Sequence, residues 1–161
     1  MRPKRIEPGP GQESVWDYPR PPRLDPSNAH IRVVHGDTVI ADSTNAVRVL
    51  ETSQPPAFYI PRGDVNMAAL TPSLGRSFCE WKGEASYFDV AGTRNEQVAW
   101  TYESPTGDFA SIRQYVAFYA QKLECSVDGE VVDPNEGSFY GGWITSSVVG
   151  PFKGSPGSAW W

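Results

Sequence analysis

The chain has 161 residues and 17.7 kDa, enough for one domain with a sizeable core, and 20% charged against 39% hydrophobic residues excludes a disordered tail or linker. Fourteen Lys and Arg face 19 Asp and Glu, a net charge of -5, so the basic excess of a phosphate-backbone binder is missing and nucleic acid is not an expected partner. No run of about 18 apolar residues occurs, which excludes a membrane-crossing helix.

Arg2, Lys4 and Arg5 give the N-terminus the charge of a leader, but Pro8, Gly9, Pro10 and Gly11 stand where its apolar stretch would have to be. A cytoplasmic protein is the expectation. Seven of the 15 prolines precede His30, and residues 1–28 have no apolar period, so this segment reads as an arm. Val15, Trp16 and Tyr18 are costly to leave in water, which predicts that the arm docks on the body.

The body, residues 29–133, reads as β-structure. Ile31–Val34 and Thr38–Ala41 flank Gly36-Asp37, a glycine-first two-residue turn, and predict a hairpin. Val47, Val49 and Leu50 pair in prospect with Phe58–Ile60 across the Pro55-Pro56 loop. Asp64 is placed to cap one or two turns of helix through Leu70, which Pro72 would stop. Phe78–Trp81, Ala85–Val90 and Val98–Tyr102 are three further strands, punctuated by Gly83 and Gly92. Asp108–Gln114 reads as a short capped helix, and Tyr115–Tyr119 and Leu123–Val127 as strands leading into the Asp128-Gly129 turn. Residues 134–161 alternate glycines with aromatics, which suits an irregular extension pinned by aromatic anchors on the same domain. The expected fold class is therefore mainly β: an antiparallel sheet or a small barrel-like, β-tent-like single domain with minimal helix and two irregular arms.

Two cysteines, Cys79 and Cys125, stand far apart without CxxC or Cys/His ligand spacing, so neither a disulfide framework nor a structural zinc site is signalled, and both are expected as free thiols. Gly36-Asp37 with Ala41-Asp42-Ser43, Glu51-Thr52, Pro55-Pro56, Tyr59-Ile60-Pro61, Asp64-Val65 and Cys79-Glu80-Trp81-Lys82-Gly83-Glu84-Ala85-Ser86-Tyr87 resemble the family called domain of unknown function 427. Ala99-Trp100, Tyr102, Pro105 and Val116-Ala117-Phe118-Tyr119 continue the pattern. The flanks Ser14–Pro19 and Gly150–Gly154 resemble those of its longer bacterial members. The resemblance implies a fold together with a label, nucleotidyltransferase-like.

That label asks for carboxylates converging on Mg²⁺, commonly as an Asp-x-Asp pair. No Asp-x-Asp occurs, nor does GxxxxGK[ST] or GxGxxG, so no metal site or cofactor is signalled, and Asp37 and Asp42 read as turn and surface residues. Cys79 and Lys82 form the densest cluster, where an ammonium can activate a thiol; the plainer alternative is a buried small hydrophobe beside a snorkelling lysine. Glu51, Tyr59, Asp64, Tyr87, Trp100 and Tyr119 have the composition of a polar-rimmed aromatic pocket for a flat or sugar-like ligand, although such aromatics equally serve a core. Lys153, framed by glycines, can present a cation to an anion or simply be solvated.

Two readings of function follow. In the first the chain is a small-molecule-binding β domain, with or without catalysis. In the second it is a non-catalytic interaction or scaffold protein that offers Trp16, Tyr18, Trp143, Trp160 and Trp161 to a partner or to self-association, and under either reading a monomer or homodimer is expected. An Mg²⁺-dependent nucleotidyltransferase stands behind both.

Overall fold

The computed structural model describes residues 2–137 and 139–161. Its strands in chain order are β1 (Glu13–Ser14), β2 (Arg23–Pro26), β3 (Ile31–His35), β4 (Thr38–Ser43), β5 (Val47–Leu50), β6 (Ala57–Tyr59), β7 (Leu70–Cys79) and β8 (Gly83–Val90). There follow β9 (Ala99–Tyr102), β10 (Val116–Phe118), β11 (Glu124–Val127), β12 (Glu130–Val131), β13 (Asp133–Pro134), β14 (Trp143–Ile144) and β15 (Val148–Val149). The mainly β expectation holds. The five sheets have open strand orders among the described residues, so the barrel alternative does not apply.

The hairpins form where turn chemistry demands them. Gly36 takes φ +58° between β3 and β4, and Asp128 and Gly129 take +49° and +83° between β11 and β12. Both loops supply the positive φ that two-residue hairpins require. The expected helices are corrected. Met67–Ala69 and Gly107–Ile112 are 3₁₀ turns, and Asp64 ends a third, Arg62–Asp64, instead of capping anything. Its carboxylate accepts from the Ser43 hydroxyl at 2.7 Å, while Val65 is drawn into a bridge with Ala41. Pro72 does not stop an element either. It lies within β7, the edge strand of its sheet, where a missing N–H costs no ladder bond.

One relationship positions the site. The sheet β2-β5-β6 meets the sheet β10-β9-β8-β7 through Ile60 and Val116, whose backbones exchange two hydrogen bonds of 2.9 Å. The seven strands thus make one continuous wall, and period-2 alternation gives it two faces. Phe58, Ile60, Phe88, Ala99, Val116 and Phe118 point to the main core, against Ile31, Val33, Ile40, Cys125 and Trp143. Tyr59, Ala85, Trp100, Tyr102 and Ala117 belong to a second apolar cluster with Phe109 and Ile112.

The arms join each other as well as the body. β1 pairs with β15 in parallel, and Val15, Trp16 and Tyr18 are buried with Leu50 and Val148. The Trp16 indole donates to the Pro151 carbonyl at 2.9 Å and its ring meets that of Trp161. Trp143 is buried too, so of the aromatics considered for a partner surface Trp160 is the one that stands in water, 94% exposed.

Candidate functional site

The second face of the wall carries a cavity of about 290 Å³. Alternate residues supply its floor: Val49 from β5, Ala57 and Tyr59 from β6, Trp100 and Tyr102 from β9, Ala85 and Tyr87 from β8, Ser77 and Cys79 from β7. Trp81 and Lys82, at the tip of the β7–β8 hairpin, close one end, and Glu51, Gln54 and Pro55 lie on another side. Residues 139–142 and Tyr119 complete the lining.

Hydrogen bonds and ring contacts fix the walls. The Trp100 indole N–H donates to the Tyr59 hydroxyl at 2.9 Å, with the two rings edge to face at 6.0 Å. Tyr119 packs on Trp100 at 4.6 Å between centroids. The Ser77 and Tyr87 hydroxyls lie 2.6 Å apart across the β7–β8 hairpin. Burial raises the pKa of Tyr59, of Tyr102 and of Tyr119, with Lys82 pulling against it at Tyr59, so all three phenols are neutral at physiological pH.

Lys82 is the unusual group. The hairpin tip is anchored by Thr106, whose hydroxyl donates to the Trp81 carbonyl at 3.0 Å and whose N–H donates to the Lys82 carbonyl at 3.3 Å. Gly83 follows at φ +96°, a conformation that a Cβ would strain. So held, Lys82 is 7% exposed, with its ammonium over the Tyr102 ring at 5.6 Å and the Phe109 ring at 5.7 Å. Burial works against its charge, but Tyr59 and Cys79 in their ionised forms, a hydrogen bond to Cys79 and the Glu51 carboxylate favour it, and on balance its pKa is raised. It is a cation that, among the described residues, has no carboxylate paired with it in a salt bridge. Of the two acids on the same cavity, Glu51 faces Arg20 at 3.4 Å, and the exposed Glu80 makes no salt bridge among the described residues.

Two glycines bring the C-terminal segment over the floor. A Cβ on Gly141 would stand 2.2 Å from the Trp100 ring, and one on Gly142 would stand 2.3 Å from the Pro55 carbonyl oxygen. Neither position tolerates a side chain without displacement of the segment or the wall.

Of the residues expected from sequence, Glu51, Tyr59, Cys79, Lys82, Tyr87, Trp100 and Tyr119 line the cavity. Asp64 and Lys153 do not. Asp64 is engaged with Ser43, and the Lys153 ammonium lies over the Tyr140 ring at 5.5 Å and donates to the Trp161 carbonyl at 3.4 Å, fastening the C-terminal segment. Sequence reasoning missed Ser77 and Tyr102, although each stands two residues from a neighbour it did find, Cys79 and Trp100. It also missed Phe139–Gly142, which carry no periodic signal.

The carboxylates that a divalent-metal site would need stay apart. Asp42 pairs with His30 at 2.7 Å and Arg32 at 3.6 Å, Glu51 with Arg20, and Asp64 with Ser43. Among the described residues no group of three His, Cys, Asp or Glu side chains comes together as a ligand set. These residues do not fit an Mg²⁺-dependent transfer centre.

A mainly β domain with an aromatic cavity on one face of its wall is the class that the fold and site define. The chain belongs to the family described as domain of unknown function DUF427, labelled NTP_transf_9, whose profile matches residues 23–133. All the strands of the cavity floor lie inside that span, and the crossing segment at 139–142 lies beyond it. No curated relative matches the chain. No helix among the described residues is long and apolar enough to cross a membrane.

Proposed function

We propose that the cavity is the binding site for a small planar organic acid, whose ring lies among Tyr59, Trp100 and Tyr119 and whose anionic oxygen sits on Lys82. The observation that carries this reading is the buried Lys82 side chain at the cavity, whose ammonium has no carboxylate paired with it in a salt bridge among the described residues. Ring faces and the Glu51 carboxylate favour its charge, and since no carboxylate meets the ammonium directly among the described residues, an incoming anion can pair with it without displacing a partner. Neutral phenols and an aromatic floor select a flat body over a polar chain.

Matched probes test this. Benzoate should raise the melting temperature of the wild type more than benzamide does at the same concentration, and Lys82→Met should abolish the difference. A ligand at about 100 times its dissociation constant stabilises the native state by about 2.7 kcal/mol, a shift that thermal melting resolves. Equal shifts from acid and amide would refute the role given to Lys82.

A further inference from the structure

Cys79, the last residue of β7, and Lys82, in the turn that follows, line the same cavity at the tip of the β7–β8 hairpin. Cys79 follows Ser77 by two residues on β7, so both side chains are turned to the cavity side of the wall, and the Cys79 thiol is partly buried and unbridged. Lys82, a residue more than nine-tenths buried, brings its ammonium to the same spot, where it meets no carboxylate in a salt bridge among the described residues. A nucleophile thus stands beside a buried cation, with planar walls leading to both. This pairing is what addition to a conjugated carbonyl compound requires.

We propose that Cys79 adds reversibly to planar α,β-unsaturated carbonyl compounds in this cavity, with Lys82 holding the oxygen on which negative charge develops. The proposal rests on the cavity and the cation of the planar-acid reading and adds to its ligands a neutral planar class whose oxygen becomes anionic only during the step. The Cys79 sulfur forms a bond to the β-carbon as the C=C π pair shifts to give an enolate, whose oxygen lies on the Lys82 ammonium. The thiol proton ends on the α-carbon. Thiol and alkene become a thioether, no electrons are gained or lost overall, and no co-reactant is needed. Lys82 contributes through charge that grows during the step, the situation in which a prepositioned donor in a dry site is worth most.

The experiment follows adduct formation by intact mass and peptide mapping, with 4-phenylbut-3-en-2-one as the electrophile and iodoacetamide as a thiol reagent that forms no enolate. The wild type should gain one enone adduct, at Cys79, and Cys79→Ser should gain none. Lys82→Met should slow the enone reaction by about a hundredfold, the cost of removing one oxyanion donor, while slowing iodoacetamide far less. Equal slowing of both reagents would overturn the proposal, because Lys82 would then act on the thiol alone. Enone labelling of Cys79 no faster than that of a free thiol in solution would overturn it as well. Circular dichroism of Lys82→Met and a second variant, Lys82→Arg, which keeps the charge and should retain the enone rate within about tenfold, separate a folding defect from a lost donor. Benzoate binding without enone selectivity would leave the planar-acid reading standing and remove this one; loss of both would remove both.

Discussion

The indole N–H of Trp100 on β9 reaches the hydroxyl of Tyr59 on β6 across the width of β10. It can do so because the β10 residue beneath is Ala117, the backbone partner of Trp100, whose single methyl leaves the space above it free. The bond closes the cavity floor at the seam where the two sheets meet. Tyr59→Phe removes the acceptor and leaves a buried N–H unsatisfied, at an expected cost of about 1–3 kcal/mol in urea unfolding. Unchanged stability would mean that the seam is held by Ile60 and Val116 alone.

Ala117→Leu tests the same seam from below. The larger side chain has to separate Tyr59 from Trp100, and overpacking of this kind costs about 1–3 kcal/mol. The expected outcome is a lower unfolding midpoint together with a blue- or red-shifted Trp emission. A variant with native stability and native emission would contradict the packing described.

The crossing segment is held by contact, not by hydrogen bonds alone. Gly142→Ala should displace residues 139–142 from the Pro55 carbonyl, since a Cβ there would approach it to 2.3 Å. The expected signature is faster proteolysis near Tyr140 with the strand core still protected from hydrogen exchange. Protection lost equally throughout would show that the segment is part of one cooperative unit with the wall.

The two thiols should differ under native conditions. Cys125 lies in the main core and burial pushes its pKa up to about 12, so it is neutral and inaccessible, whereas Cys79 opens on the cavity. Iodoacetamide at pH 8 should add once to the folded chain and twice to the chain in denaturant. Two adducts on the folded protein would place Cys125 outside the core.

Asp89 sets an acid limit on stability. Burial favours its neutral form, but the backbone N–H groups of Asn95, Glu96 and Gln97 donate to its carboxylate at 3.0, 2.9 and 2.8 Å, and its pKa is lowered on balance. A folded-state pKa below the unfolded value gives stabilisation that is present above the unfolded pKa and is lost as pH falls through the folded one. The wild type should therefore lose stability between about pH 5 and its folded-state pKa, and Asp89→Asn, less stable at pH 7, should lose less of it over that range. Parallel pH profiles would reject the role assigned to the three donors.

Much of the cavity could be read from the chain because strands alternate. Tyr59, Tyr87 and Trp100 sit at single positions of short β runs, and a polar-tipped aromatic there faces either core or cavity. The alternation itself does not say which face is which. That depends on the union of two sheets through Ile60 and Val116, a contact between residues far apart in sequence. Asp64 reads as a helix cap because its neighbours resemble capping chemistry, whereas tertiary pairing of Val65 with Ala41 keeps the chain extended and turns the carboxylate to Ser43. Lys153 lies in an aperiodic stretch, where nothing local distinguishes a ligand contact from a fastening. Pro72 reads as a terminator because an edge strand is defined by what does not pair with it, which no local window reveals.

The two-faced wall also constrains how such a site can diversify. Phe58 and Ile60, which the main core requires, flank Tyr59, which the cavity requires, so a shift of β6 that suited a new ligand would disturb the packing behind it. The floor is inherited along with the fold. The hairpin tip Cys79–Gly83 belongs to the pattern shared with the family, so freedom lies where no strand has a second duty and the family profile does not reach: in Phe139 and Tyr140 of the crossing segment. Relatives that share this wall should therefore differ in what they hold chiefly through that short stretch of chain.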